Sequence, residues 1–353
     1  MSTKIQAVVL GATGYVGGEL LRLIATHPNM QLAAAVSESR AGDAIGDCFP
    51  HLSATFGGMT FVSHSGWPNA MGKDSNVALF SAAPHGASAA IIKTSLEAAE
   101  KSKLTVHVVD SSADFRYPSQ ADFESVYGIE HGAPELIEKF NCAVPEHVVA
   151  ASTPHIAHPG CFATAVLLAA VPLLSGGFSD GELFVTGVTG STGSGRKPQP
   201  GTHHPERHSN LYAYKALTHR HTPEIVRLAA AASGYETRIN FVPHSGPYAR
   251  GIYVTVQAKT NRKLSQEDLR NIYYDAYADA PFVEVVDGMP KLKNVVASNN
   301  CHLGVAASGD TVVVTSAIDN LVKGAAGGAM QWMNRLWELP ETTGLLAPAP
   351  SWT

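Results

Sequence analysis

Cysteine is scarce in this 353-residue chain: Cys48, Cys142, Cys161 and Cys301 are far apart, with no CxxC pair. That spacing argues against structural zinc and against a disulfide framework, and it suits free thiols in a reducing cytoplasm. Charge is thin as well. Asp, Glu, Lys and Arg make up 16% of the residues, the formal net charge is −5, and no basic run stands out. Nucleic acid and anionic membrane are therefore not expected as partners. No stretch reaches the roughly 20 uninterrupted apolar residues of a membrane span. The opening MSTKIQAVVLGATG leads a short apolar run into a glycine loop, where a signal peptide would have a cleavage site. The four tryptophans form no stacking box and are expected in packing roles.

Apolar residues, at 45%, are ample, and the length is about that of two domains. The first half alternates apolar runs with helical patterns. IQAVVL (5–10), QLAAAVS (31–37), VALFSAA (77–83) and TVHVVDSS (105–112) are expected strands; Gly17 to Thr26 and Ala87 to Lys101 are expected helices. Continuously apolar strands between helices imply a parallel sheet covered on both faces. Past residue 157 the pattern changes: LFVTGVTG, RINFVPHS, GIYVTVQAKT and DTVVVTSAI alternate partially, with helices over Thr222–Ser233 and Ser265–Ala278. The fold class is α/β: a Rossmann-type dinucleotide-binding domain at 1–157, completed by a C-terminal helical segment at 319–353, plus an α+β substrate and oligomerisation domain with an open mixed sheet at 158–318.

VVLGATGYVGGEL sets Gly11, Gly14 and Gly17 between a strand and a helix, a close variant of the dinucleotide fingerprint. The glycines serve a tight turn, backbone approach to a pyrophosphate and close helix–strand packing, and the helix N-terminus offers N–H donors to phosphate. At the end of the second strand, Glu38 suits the ribose of NAD, whereas Ser37, Ser39 and Arg40 suit the 2′-phosphate of NADP; the phosphate site is the better match. Ser111 and Ser112, at the end of a strand, are placed to approach the cofactor; Asp110 and Asp114 are expected to anchor that loop.

HPGCFATAVLLAAV raises the central question. Pro159-Gly160 breaks the chain and Cys161 opens an apolar helix to about Leu174. A thiol there sits at the positive end of a helix dipole and ionises more readily; the plainer alternative is a small buried residue. A thiolate catalyst needs a base. The segment 202–228 carries His203, His204, His208, His219 and His221. Thr222-Pro223-Glu224 is a helix-start pattern, with Thr222 as N-cap and His221 just before it, where the dipole keeps an imidazole neutral. A solvated loop is the plainer alternative for the histidines, and no ligand spacing completes a metal site, so none is expected. A second glycine loop, VTGVTGSTGSGRKP (185–198), ends in Arg196 and Lys197 and offers donors and cations to an anion.

Taken together, GATGYVGGELLRLIATHP, APHGAS (83–88), VVDSSADFR (108–116), PGCFATA, GVTGSTGSGR, HRHTPEI (219–225) and AIDNLVKGAAGGAMQ (317–331) resemble the N-acetyl-gamma-glutamyl-phosphate reductase family, within the aspartate-semialdehyde dehydrogenase superfamily. The resemblance runs end to end. It implies that Cys161 is the acyl-accepting thiol and His221 the base, with His219 the alternative. It places NADP(H) on Gly11, Thr13, Gly14, Tyr15, Val16, Pro84, His85, Ser112 and Asn320, besides Ser37, Ser39 and Arg40. Substrate falls to Ser191, Gly193, Ser194, Arg196 and Lys197. The implied reaction is reduction of an acyl phosphate through a thioester to an aldehyde, by a cytoplasmic homodimer or homotetramer. Phe162-Ala163 and KPQPGTHHPERH depart from the arginine-pathway pattern and resemble a branch whose substrate is joined to an acidic amino-group carrier protein. Rival classes are a cysteine hydrolase, which has no use for Gly11–Gly17, and a non-catalytic NADP sensor, in which Cys161 is unreactive.

Overall fold

The computed structural model describes residues 4–72 and 74–352, and the chain forms two compact units, each built round its own sheet. The first comprises Met1–Ala143, Ala150–His158 and Ala326–Leu346; the second comprises Val144–Val149, Pro159–Ala325 and Ala347–Thr353.

In the first unit β1 (Ile5–Leu10), β2 (Met30–Val36), β3 (Asn76–Ser81), β4 (Thr105–Asp110), β5 (Phe140–Cys142) and β6 (His155–Ala157) form one sheet in the order β2-β1-β3-β4-β6-β5. Every neighbouring pair is parallel. Val8, Leu10, Val77, Leu79 and Val108 are fully buried, as the central strands of a sheet covered on both faces must be. Strand order reverses between β1 and β3, and in open α/β sheets the ligand crevice lies at the carboxyl ends of strands at such a point. The helix Gly327–Leu336 packs on β4 and on the helix Tyr15–Ala25. It is fixed by Trp332 Nε1 donating to the Ala143 carbonyl at 2.9 Å and by an Asn334–His27 side-chain bond of 3.0 Å.

The return to this unit comes later than residue 319. Asp319 accepts from the N–H groups of Leu321 (2.7 Å) and Val322 (2.9 Å) and pairs with Arg250 at 2.9 Å, which ties the segment to the second unit. A π-helical turn then occupies Val322–Ala326, and regular helix starts at Gly327, later than the expected helical segment at 319–353.

The second unit carries β7 (Ser179–Thr189), β8 (Tyr212–Ala213), β9 (Arg238–Ser245), β10 (Ile252–Thr260), β11 (Val283–Val285), β12 (Cys301–Ser308) and β13 (Thr311–Ile318). The order is β11-β12-β13-β10-β7-β9-β8, and the β7–β9 and β11–β12 pairs are parallel in an otherwise antiparallel sheet. Along β10 the residues Ile252, Val254, Val256 and Ala258 are buried and their neighbours are not, so one face is covered. The helix Cys161–Ser175 lies against β10 and β13 and beside the helix His221–Ser233. It is apolar all round and buried from Phe162 to Leu174, as a helix at the centre of a unit should be.

Candidate active site

At the carboxyl end of β1, Gly11 has φ +67° and a Cβ added to it would lie 2.6 Å from the Ala82 carbonyl oxygen, so the loops after β1 and β3 touch there. Gly17 is equally constrained: its Cβ would meet the Ala12 backbone at 2.6–2.7 Å, so the helix packs tightly on the turn that follows β1. Gly14 is the N-cap of the helix Tyr15–Ala25, and a Cβ there would touch nothing nearer than 3.7 Å. Bare backbone, an open helix N-terminus and a glycine with space before it fit a dinucleotide pyrophosphate.

At the end of β2 the hydroxyls of Ser37 and Ser39 lie 3.5 Å apart. Arg40 pairs with Asp43 at 2.8 Å, and Glu38 Oε2 accepts from the His64 N–H at 3.1 Å. Glu38 is thus turned to its own neighbourhood, which weakens the ribose alternative and leaves the serine pair.

After β3 and β4 the loops are laced together. Asp114 accepts from the N–H groups of Gly86 (2.7 Å) and Ala89 (2.9 Å), and the Ala113 N–H donates to His85 Nδ1 at 2.9 Å. Fully buried Asp110 accepts from the hydroxyls of Ser88 (2.8 Å) and Ser112 (2.6 Å). Burial, then the charge of Asp114, pushes the Asp110 carboxyl up to about 6. Ser112, expected at the cofactor, is buried with its hydroxyl committed to this network. The loop bearing Pro84 and His85 is therefore held from beneath by carboxylates.

In the second unit Cys161 is the first residue of its helix, with Gly160 as N-cap, and is partly exposed. Cys48 and Cys301 are buried, and burial drives the Cys301 thiol up to about 12. Only at a helix N-terminus do unpaired N–H groups and the dipole favour a thiolate. The Gly160 N–H donates to Oε1 of Glu224 at 2.7 Å, and Glu224 is fully buried. Glu224 belongs to the helix His221–Ser233, one turn from His221, so a single carboxylate joins the turn carrying Cys161 to the helix carrying His221.

That helix begins at His221, not after Thr222. The Thr222 N–H donates to the His219 carbonyl at 2.9 Å, so a turn already in place draws the start forward and Thr222 is not its N-cap. The rings of His219 and His221 are 4.8 Å apart and both residues are buried. His219 Nδ1 accepts the His221 N–H at 3.2 Å, and its ring is enclosed by Phe162 (5.8 Å), Phe241 (5.5 Å) and Tyr214 (5.7 Å). Burial lowers His219 to about 4, which makes it a neutral imidazole at physiological pH.

The loop after β7 forms a short turn at Ser191–Ser194, and Gly193, Ser194, Arg196 and Lys197 are exposed. Asn320, expected to approach the cofactor, has its amide committed within the second unit: Oδ1 accepts the Gly251 N–H at 2.7 Å and Nδ2 donates to Thr192 Oγ1 at 3.0 Å. Its visible work is to brace the loop after β7. Sequence reasoning passed over the buried Glu224 as an ordinary first-turn acid. Among the described residues no group of three or more His, Cys, Asp or Glu is placed to hold a metal.

Residues 6–140 match the family model for the NAD binding domain of semialdehyde dehydrogenase, and residues 161–320 match the model for its dimerisation domain. An N-acetyl-gamma-glutamyl-phosphate reductase of Methanosarcina barkeri is 39% identical over 347 residues, covering 98% of this chain and 99% of that protein. One from Moorella thermoacetica is 36% identical over 351 residues, covering 98% and 99%. Among solved structures, aspartate semialdehyde dehydrogenase II of Vibrio cholerae complexed with ASA superposes with a TM-score of 0.70 at 17% identity, covering 96% of this chain and 99% of that one. The Candida albicans enzyme with NADP gives 0.64 at 15% identity, covering 95% and 98%. Those two share the fold. With near-complete coverage at well over a third identity, and both domain models matched in order, the chain belongs to the N-acetyl-gamma-glutamyl-phosphate reductase family of semialdehyde dehydrogenases.

Proposed function

We propose that the protein reduces N-acetyl-gamma-glutamyl phosphate to the corresponding semialdehyde with release of phosphate, using NADPH. The observation that carries this is the join at Glu224: a partly exposed thiol at the N-terminus of a buried helix, tied through Gly160 to the helix that starts with His221. Cys161 is the nucleophile. His221 takes its proton, Sγ attacks the acyl carbon, the bond from that carbon to the phosphate oxygen breaks, and phosphate leaves a thioester on Cys161. Arg196 and Lys197, exposed on the loop of Ser191, Gly193 and Ser194, hold the phosphate by charge. A dinucleotide, when bound, would supply the hydride. Hydride addition leaves an oxyanion on the thiohemiacetal carbon; as that oxygen re-forms the carbonyl the C–S bond breaks, His221 returns its proton to the departing sulfur, and the aldehyde is freed. His219, enclosed by aromatic rings with Nδ1 occupied by backbone, positions His221 and does not itself take the proton.

Gly11, Thr13, Gly14, Tyr15 and Val16 would hold the dinucleotide, and Ser37 and Ser39 would favour its 2′-phosphate. The first unit acts as the dinucleotide domain and the second as the substrate domain. The name of the second family model favours a homo-oligomer, and Phe184, on the sheet face not covered by the Cys161 helix, is 53% exposed and belongs to that contact. The relatives' names favour the acetylated substrate over a carrier-linked one. No helix among the described residues is long and apolar enough to cross a membrane, in keeping with a cytoplasmic enzyme. The test runs the reaction backwards with N-acetylglutamate semialdehyde, phosphate and NADP. NADPH formation that requires phosphate and vanishes in Cys161→Ala is expected; no turnover from folded, NADP-binding protein overturns the assignment.

A further inference from the structure

Between Ser191 and Thr218 every residue is exposed or half-exposed except one, and that one is charged: Arg207 is only 7% exposed. Its Nη1 donates to Ser245 Oγ at 2.8 Å, while Nε and Nη2 have no hydrogen-bond partner among the described residues. Taking a guanidinium out of water is unfavourable unless an anion or several acceptors replace the hydration. Nε and Nη2 share one edge of the planar group, and their parallel N–H bonds match the two oxygens of a carboxylate. Ser245, by occupying Nη1, fixes which edge stays open.

The anchored guanidinium lies on the side of the unit from which the substrate loop departs. Ser245 ends β9 and pairs with Thr189, from which the loop of Ser191 to Lys197 departs. Tyr214 donates its N–H to the Pro243 carbonyl at 3.0 Å, two residues before Ser245, and its ring is 5.7 Å from that of His219. Phe241, packed on His219, is four residues earlier on the same strand, a rise of about 13 Å. The Arg207 side chain and a short acyl chain extending from the histidine end can together cover that interval. Burial pushes the nearby Tyr248 hydroxyl up to about 12, with the Arg207 guanidinium opposing the rise.

We propose that Arg207 binds the α-carboxylate of the acylamino-acid substrate through its Nε–Nη2 edge and so selects N-acylated amino dicarboxylic substrates over simple aldehydes. The proposal rests on the function assigned above. It is tested in the whole protein with Arg207→Gln and Arg207→Lys, assayed for phosphate-dependent NADP reduction with N-acetylglutamate semialdehyde and with 4-acetamidobutanal, the same chain without its carboxylate. Losing a charge-assisted pair raises KM for the first about 10- to 150-fold, with KM for the second, KM for phosphate and NADPH binding each within threefold of wild type. Arg207→Lys recovers part of the loss. Equal losses on both aldehydes, or a rise confined to the phosphate KM, overturn the proposal, the latter by making Arg207 a phosphate site. Should wild type turn over neither aldehyde, the assigned function fails; calorimetric binding of N-acetylglutamate then decides for Arg207, tenfold weaker binding in Arg207→Gln supporting the carboxylate site and equal binding refuting it. Melting curves identify a variant that has not folded, and the lysine variant then stands in.

Discussion

Gly324→Ala tests the placement of the nucleophile without touching it. A Cβ at Gly324 would lie 2.7 Å from Cys161 Cβ and 3.1 Å from Cys161 Cα, whereas carbon atoms rest at about 3.5–4.0 Å. One side must yield by close to 1 Å. Cys161 is the first residue of a helix buried from Phe162 to Leu174, and Lys323, next to Gly324, is buried and bound to Glu146 at 2.5 Å. Neither is free to move. Overpacking of this kind costs about 1–3 kcal/mol, offset by up to about 1 kcal/mol from alanine's better helix propensity. A displacement of about 1 Å at a reacting atom lowers the rate on the order of 100-fold. The expected variant therefore melts a few degrees lower, binds NADPH normally by fluorescence titration, and has kcat reduced about 100-fold, with altered alkylation of Cys161 by iodoacetamide. A kcat within threefold of wild type would refute the placement of Cys161 against the turn.

Gly11→Ala forces a Cβ to within 2.6–2.7 Å of the Ala82–Ala83 backbone at a φ of +67°, so NADPH affinity should fall at least tenfold; an unchanged Kd counts against the cofactor cradle. Stability should fall on acidification. Burial lowers His147, His155 and His219 each to about 4, so they stay neutral in the fold while the unfolded chain takes up protons below about 6.5. Stability is thus lost as pH drops from about 6.5 towards 4, by about 2 kcal/mol for each histidine at pH 5. Asp110, raised to about 6, acts oppositely, its contribution present at low pH and lost as pH rises through about 6, but it is one group against three. A melting temperature at pH 5 equal to or above that at pH 7 would contradict this balance.

The dinucleotide unit was legible because its strands are uninterrupted apolar runs: IQAVVL was expected over 5–10 and β1 is Ile5–Leu10. The strand β12, Cys301–Ser308, escaped because His302 and Gly304 break its pattern. Gly304 is there for a tertiary reason. A Cβ would lie 2.5 Å from the Gly288 carbonyl oxygen and 2.7 Å from Pro290 Cδ, a close approach local sequence does not announce. β5 and β6, three residues each, are too short to show a period. The helix Gln120–Tyr127 did have a start signal, Ser119 accepting from the Asp122 N–H at 3.1 Å, but little apolar periodicity behind it.

Cys161 stood out because a helix start is local information, whereas Glu224 acts across 64 positions of sequence and nothing local tells a buried glutamate from a solvated one. Its burial has a consequence for the thiol. The Gly160 N–H it occupies belongs to the same helix end that favours a thiolate on the next residue, so the Glu224 carboxyl competes for that helix end while fixing the position of Cys161. Position and acidity then respond in opposite directions to one substitution. Glu224→Gln keeps an oxygen for the Gly160 N–H but replaces the carboxyl by a neutral amide, and a negative charge nearby disfavours a thiolate. The variant should therefore be alkylated by iodoacetamide at pH 7 several-fold faster at Cys161 than wild type, yet turn over no faster. Glu224→Ala, which leaves the Gly160 N–H unpaired at a cost of about 1–3 kcal/mol, should lose both stability and rate. Slower alkylation in Glu224→Gln would mean that the carboxylate helps form the thiolate, and the role assigned to Glu224 as a positioning residue would have to be abandoned.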